Sequence, residues 1–130
     1  MYSSTHDVLV LTETWLSQEI FDKEILPTGF NIYRNDRASR GGGVLIAINN
    51  TIPSKLLTTP SCLEVLIVEV QCKLTLTFCV VYIPPNSNSL YNSDVLAFLN
   101  SYASKPHTFI LGDQLPRHQL ALSCRSFRHI

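Results

Sequence analysis

The sequence predicts a mixed α/β domain in which β-sheets are covered by helices. Three observations support this class. Hydrophobic residues make up 45% of the 130 residues and charged residues 15%, which suits a folded core and argues against disorder. Short apolar runs of strand length are separated by turn signals. One longer segment places its apolar residues at helical spacing. The elements follow the order strand, helix, two hairpins, helix and strand, with no internal repeat and no linker.

Six segments are predicted to form β-strands. The first is a continuous apolar run, which is typical of a strand covered on both faces. In the fifth, Leu76, Phe78 and Tyr82 share one face of the strand, whereas Thr77 and Cys79 share the other. The strands are predicted, in order, at residues 7–12, 30–33, 43–48, 63–71, 74–82 and 108–111.

Two segments between the strands have helical character. Residues 16–26 are predicted to be helical or irregular, and a Pro-Thr-Gly sequence ends them. Residues 93–103 give the clearest helix, because Val95 and Leu99 recur at helical spacing and Ser93 can cap the N-terminus.

Composition and segment lengths restrict where the protein acts. No run approaches the roughly 20 apolar residues of a membrane span. The N-terminus lacks the basic and apolar regions of a secretory signal. The four cysteines show no metal-binding spacing and are predicted to be buried thiols. We therefore expect an intracellular protein. The sequence does not distinguish the nucleus from the cytoplasm. The formal charge of zero provides no overall attraction to nucleic acid.

Three side chains at strand ends are candidates for chemistry. Glu13 follows the first strand and Asp113 follows the last, and sites in layered α/β folds assemble at such ends. Two acids that meet there could hold Mg²⁺, or each could cap a turn or a helix. Tyr82 could contact a phosphate or could be a core residue with a satisfied hydroxyl.

A basic cluster follows the second strand. Arg34, Arg37 and Arg40, with Asn35 beside them, could bind the phosphates of a nucleic acid. The alternative is a solvated turn in which Arg37 pairs with Asp36. Three consecutive glycines follow the cluster and permit positive φ or a close approach of the backbone.

Four motifs in order carry a family resemblance. They are Leu-Thr-Glu-Thr-Trp-Leu at 11–16, Tyr-Arg-Asn-Asp-Arg at 33–37 with Gly-Gly-Gly-Val at 41–44, Tyr-Ile-Pro-Pro-Asn at 82–86, and Phe-Ile-Leu-Gly-Asp at 109–113. The series resembles the endonuclease domain of non-LTR (LINE-type) retrotransposons, a branch of the endonuclease/exonuclease/phosphatase superfamily. The resemblance covers residues 7–113. It implies part of a four-layer αββα sandwich of the DNase I-like type.

The resemblance also implies an activity. Members of the family hydrolyse a DNA phosphodiester with Mg²⁺ as cofactor and nick the target for reverse transcription. By this resemblance Glu13 is the metal ligand, Tyr82 lies beside the scissile phosphate, and Asp113 positions or deprotonates the attacking water. DNA is the implied partner, and no protein partner is implied.

The resemblance fails at one motif and at both ends of the chain. The family has an Asn two residues after the Asp, whereas this chain has Leu115, which cannot donate a hydrogen bond. The segments that complete the family's site are not found. The sequence thus favours a catalytically inactive fragment over an active endonuclease. Another phosphoesterase branch of the superfamily is a further alternative.

Residues 114–130 differ in sequence pattern from the rest of the chain. The predicted domain spans residues 1–113, and residues 114–130 are predicted to be an unstructured tail. Many family members continue with Phe-Asn-Phe-Pro-Asp-Ile-Asn-Trp after the Asp. Reading a coding sequence for this motif two bases out of frame yields Gln-Leu-Pro-Arg-His-Gln-Leu, which is identical to residues 114–120. We therefore expect the tail to be translated out of frame.

Overall fold

A computed structural model describes residues 7–26, 28–37, 41–84, 88–113 and 119–122. Within these residues the chain forms eight β-strands and two helices. The strands are β1 Val8–Thr12, β2 Phe30–Asn35, β3 Val44–Asn49, β4 Ser54–Leu56, β5 Val65–Gln71, β6 Thr75–Tyr82, β7 Thr108–Asp113 and β8 Gln119–Leu122. The helices are α1 Asp22–Ile25 and α2 Ser89–Ala103.

The strands form two four-stranded sheets. The first sheet has the order β2-β3-β1-β8 and is antiparallel throughout. The second has the order β4-β5-β6-β7 and is antiparallel except for the parallel pair β6 and β7. A parallel pair needs a long crossover, and α2 provides it. Because of this pairing, β6 and β7 end at the same edge of the sheet, where Tyr82 is the register partner of Asp113.

Two apolar clusters lie on the two faces of the second sheet. One fills the space between the sheets and includes Ile46 of β3 and Phe78 of β6. The other lies under α2, where Val95 is fully buried against Cys79 and Val81 of β6. Strand β6 is therefore buried on both faces, in the alternation that its sequence predicts. The predicted mixed α/β class, with a helix covering a sheet, is confirmed.

Helix α2 begins four residues before its predicted start. Asn88 is its N-cap, and the side-chain oxygen of Asn88 accepts a hydrogen bond of 2.7 Å from the backbone N–H of Tyr91. The prediction of Ser93 as the cap is wrong, because Ser93 already lies inside the first turns. The exposed residues Ser89 and Leu90 add no apolar stripe that would reveal this first turn.

Two other segments depart from a simple prediction. Residues 16–26, expected to be helical or irregular, are irregular except for the single turn of α1. The three-residue strand β4 is too short to give a pattern in the sequence. None of the helices in the described part of the chain is long and apolar enough to cross a membrane.

Residues Gln119–Leu122 pair with β1 as an antiparallel strand, which differs from the expected unstructured tail for those four residues. The boundary at residue 113 and the out-of-frame origin stay predictions.

Cys79 is a buried free thiol as expected, whereas Cys62 is exposed and Cys72 is disulfide-bonded. The expectation of buried free thiols is therefore wrong for Cys62 and Cys72.

Candidate functional site

The ends of β1 and β6 meet at one edge of the sandwich. The hydroxyl of Tyr82, the last residue of β6, donates a hydrogen bond of 2.7 Å to Oε1 of Glu13, which follows β1. Because β1 and β6 belong to different sheets, this bond joins the two sheets at the edge where they end. The backbone of Asp113 lies beside Tyr82 at the end of β7, and its side chain lies outside the described part of the structure.

The backbone after β1 is held in an unusual conformation. Glu13 has φ 52° and Trp15 has φ 56°, a region that residues other than glycine rarely adopt. The segment is fixed by two backbone hydrogen bonds, from Thr14 N to Gly43 O (3.3 Å) and from Trp15 N to Gly42 O (2.9 Å). Strained residues that are fixed in this way occur often at functional sites.

Arg37 lies over the ring of Tyr82. Its guanidinium carbon is 5.4 Å from the ring centroid, within the range of a cation–π contact. Its Nε and Nη2 donate to Oε2 of Glu64, at 3.1 and 2.9 Å. The other oxygen of Glu64 accepts from the backbone N–H of Gly43 at 3.0 Å. The hydrogen bonds with Glu64 raise the pKa of Arg37, so it is a permanent cation.

Gly42 leaves the space that this ion pair occupies. A Cβ at this position would lie 2.5 Å from Oε1 of Glu64 and 2.6 Å from the guanidinium carbon of Arg37. Gly42 also has φ +64°. A side chain here would therefore be strained and would displace the ion pair, which explains why a glycine follows the basic cluster at this point.

The phenol of Tyr82 is a hydrogen-bond donor rather than an anion. Burial is the largest cause that raises its pKa to about 12, and the hydrogen bond and charge of Glu13 add to it. Arg37 opposes the shift without cancelling it. Tyr82 thus holds its proton at neutral pH and can donate it in a hydrogen bond to an oxygen anion.

Helix α2 supports the site from outside the sheet. The hydroxyl of Tyr91 donates to the backbone carbonyl of Tyr82 (3.2 Å) and accepts from the backbone N–H of Glu64 (3.1 Å). Neither Tyr91 nor Glu64 is among the site residues that the sequence predicts. The signal for Glu64 is its charge at the start of the apolar run that becomes β5, whereas a tyrosine on a helix gives no such signal.

The members of the basic cluster have different partners, and only some of them lie near the Tyr82–Glu13 pair. Arg34 does not face the Tyr82–Glu13 pair, because its donors bind the carbonyls of Ser17 and Ile20 and the carboxylates of Asp22 and Asp36. Asp36 therefore pairs with Arg34, and the alternative pairing with Arg37 is not formed.

The other two members of the predicted cluster do not reach the pair either. Asn35 donates to the carbonyls of Leu63 and Val65 and so links β2 to the opposite sheet. Arg40 lies outside the described residues. Of the predicted site residues, the structure thus brings together the side chains of Glu13, Tyr82 and Arg37.

A divalent cation would find one suitable side chain in this arrangement. The described residues contain no group of three His, Cys, Asp or Glu side chains that could hold a metal. Mg²⁺ is commonly bound by one or two carboxylates, with water and phosphate oxygens completing its shell. Glu13 fits that pattern as a single carboxylate ligand, since its bond to Tyr82 engages only Oε1.

Comparison with known proteins identifies the family. The sequence matches the model of the Endonuclease/Exonuclease/phosphatase family over residues 3–114. The match covers most of the chain, which therefore belongs to this family. A search of curated proteins returns no match.

Proposed function

From its membership of the endonuclease/exonuclease/phosphatase family, we propose that this chain binds a DNA phosphodiester at the Glu13–Tyr82–Arg37 site. The family suggests phosphoesterase or nuclease-like chemistry. The observation that carries the proposal is the hydrogen bond from Tyr82 to Glu13 across the two sheets, with the Arg37 cation over the tyrosine ring. A donor, a cation and a carboxylate in one place suit a phosphodiester and a metal ion together.

Each of these groups has a distinct task in the proposed site. The Arg37 guanidinium pairs with a phosphate oxygen, and Glu64 fixes its position. The neutral phenol of Tyr82 donates a hydrogen bond to a phosphate oxygen in place of Glu13. Glu13 is proposed as the carboxylate ligand for Mg²⁺, which when bound neutralises charge that develops on the phosphate. Asp113, at the end of β7, is proposed as the residue that would position the attacking water in a chain that retains hydrolysis.

We further propose that hydrolysis is lost in this chain although binding is retained. Leu115 stands two residues after Asp113, where the resemblance to the retrotransposon endonucleases calls for an Asn. An aliphatic side chain supplies no hydrogen bond to a phosphate. Removing one member of a cooperating catalytic group typically lowers the rate by orders of magnitude. The second candidate is an active phosphoesterase, which the intact Tyr82–Glu13 contact favours.

A paired assay of binding and nicking tests the proposal. We expect a labelled oligonucleotide to bind the wild-type chain, and Mg²⁺ to strengthen that binding at constant ionic strength. Glu13→Ala should abolish the Mg²⁺ effect, whereas Glu24→Ala, which removes an exposed acid from α1, should preserve it.

The same samples are then assayed with supercoiled plasmid. We expect no nicking above background from the wild-type chain. Nicking that Glu13→Ala abolishes would show an active endonuclease and overturn the proposed loss of hydrolysis. Absence of oligonucleotide binding would overturn the proposed site itself.

The proposed retrotransposon origin has a separate test. The four motifs and residues 114–120 support an element of the LINE type whose coding frame changes after Asp113. The transcript should encode Asn-Phe-Pro-Asp-Ile-Asn-Trp, or a close variant, in the alternative frame after the Asp113 codon. Any unrelated sequence in that frame contradicts the out-of-frame tail.

A further inference from the structure

We propose that the indole of Trp15 is a stacking surface for an unpaired nucleobase next to the phosphate bound at the site. The inference rests on the proposed function, because it assumes that a nucleic-acid strand occupies the Glu13–Tyr82–Arg37 site. It adds a contact to the base, whereas the groups described above contact the phosphate.

The first observation is the exposure of the side chain. Trp15 is 55% exposed, although a tryptophan gains more than most residues from burial. Isolated exposed apolar residues are common on protein surfaces, so exposure by itself does not identify a site. The position and the backbone of Trp15 set it apart.

The second observation is that the backbone fixes Trp15 in place. It lies two residues after Glu13, has φ 56°, and donates its backbone N–H to Gly42 O at 2.9 Å. A residue other than glycine keeps such a conformation only where its surroundings impose it. The indole is therefore attached to a constrained segment at the site rather than to a free loop.

The third observation is the neighbourhood of the ring. A Cβ on Gly41 would lie 3.7 Å from Cζ2 of Trp15 and 3.5 Å from Nη1 of Arg37. The aromatic ring and the cation thus lie beside the same glycine, and the guanidinium of Arg37 lies over the ring of Tyr82.

This combination of groups favours a nucleotide over a purely apolar ligand. Proteins that bind single-stranded nucleic acid combine cations along the backbone with aromatic side chains on which bases stack. At this edge of the sandwich the half-exposed indole of Trp15 and the guanidinium of Arg37 lie next to each other. An aliphatic ligand could cover Trp15 but would make no ionic contact with Arg37.

Intrinsic fluorescence offers a direct test, since Trp15 is the only tryptophan in the sequence. The full chain is titrated with oligothymidylate, with oligouridylate, and with an abasic sugar-phosphate chain of equal length. We expect both base-containing strands to quench Trp15 and the abasic strand to bind without quenching it. The two base-containing strands also show whether DNA or RNA is preferred.

Variants separate stacking from other roles of the side chain. In fluorescence anisotropy with labelled oligothymidylate, Trp15→Leu should weaken binding about tenfold, and Trp15→Phe should lose much less, because a phenyl ring still stacks. Binding of the abasic strand should be equal in all three proteins. Phe21→Leu removes another exposed aromatic side chain, at the start of α1, and should bind as the wild type does.

A relocated reporter provides the matched control for quenching. Leu96 is 57% exposed on α2, on the outer side of the second sheet. In the double variant Trp15→Phe, Leu96→Trp, the new indole should not be quenched when oligothymidylate binds. If it is quenched as strongly as Trp15 in the wild type, the signal does not report stacking and the inference fails.

The failure of this inference can be told apart from failure of the proposed function. If oligothymidylate binds but Trp15 is quenched equally by the abasic strand, the stacking role is wrong and the phosphate site stands. If no strand binds, the proposed function fails and the stacking role fails with it. Should Trp15→Leu not fold, as judged by thermal unfolding, the wild-type titrations still decide.

Discussion

Arg34 and Arg37 are separated by only two residues in the sequence and have opposite surroundings in the structure. The five N–H groups of Arg34 donate five hydrogen bonds to backbone carbonyls and aspartates, and its side chain is 13% exposed. Arg37 is 25% exposed, donates two hydrogen bonds to Glu64, and lies over the ring of Tyr82.

The two arginines differ in the partners that surround them. Arg34 points from β2 toward the irregular segment after β1, where it donates hydrogen bonds to the backbone carbonyls of Ser17 and Ile20. Arg37 lies past the end of β2, where Gly42 leaves room for its ion pair with Glu64. Arg34 therefore holds the irregular segment after β1 in place, whereas Arg37 is the guanidinium at the Glu13–Tyr82 pair.

The largest effect on stability is expected from removing the guanidinium of Arg34. Arg34→Met leaves Asp36, which is 10% exposed, without its partner and removes the hydrogen bonds that Arg34 donates to two backbone carbonyls. We expect a loss of about 3 kcal/mol in the free energy of unfolding, measured by urea denaturation. Oligonucleotide binding should be unchanged under conditions where the variant is folded. Arg37→Met, which removes a more exposed ion pair, should cost about 1 kcal/mol. An equal loss in the two variants would contradict the distinction.

A substitution at Gly42 should disturb Arg37 and its ion pair but not Arg34. Gly42→Ala introduces both an unfavourable φ and a clash with the Glu64–Arg37 pair, and we expect a loss of about 2 kcal/mol together with weaker oligonucleotide binding. Gly29→Ala is the matched control, since Gly29 has φ +112° and no atom within 4 Å of an added Cβ. It should cost about 1 kcal/mol through the backbone alone and leave binding intact. Weaker binding in both variants would indicate a general loss of structure.

The smallest effect is expected in the alkaline range. The pKa of Tyr82 is raised to about 12 in the folded chain, mainly by burial and then by Glu13, from an ordinary value near 10. Between pH 10 and 12 the unfolded chain releases this proton first, so the stabilisation is complete below pH 10 and is lost as the pH rises toward 12. Tyr82→Phe should therefore lose less stability between pH 10 and 11.5 than the wild type does. Urea midpoints measured at several pH values check this, and parallel decreases would contradict it.

Much of the fold could be predicted because its strands are strongly patterned. The apolar run of β1 and the alternation in β6 identified both strands, and therefore also the strand ends that carry Glu13 and Tyr82. The start of α2 could not be predicted from apolar spacing, because its first turn is exposed and depends on the Asn88 cap.

The site could be predicted only in part. The types of residue in the basic cluster suggested phosphate binding, but only the fold shows that the donors of Arg34 are engaged by two carbonyls of the segment after β1 and by Asp22 and Asp36. Glu64 was missed because its partners, Arg37 and Gly43, are more than 20 residues away in the sequence and are brought together by packing of the two sheets.

The salt dependence of oligonucleotide binding tests the central claim most directly. Each phosphate contact contributes about 0.7 to the slope of log K against log salt concentration for a single strand. Arg37→Met should reduce the magnitude of that slope by about this amount and weaken binding across sequences, whereas Arg34→Met should preserve the wild-type slope. A wild-type slope in Arg37→Met, or a reduced slope in Arg34→Met, would contradict the assignment of Arg37 as the phosphate-binding cation.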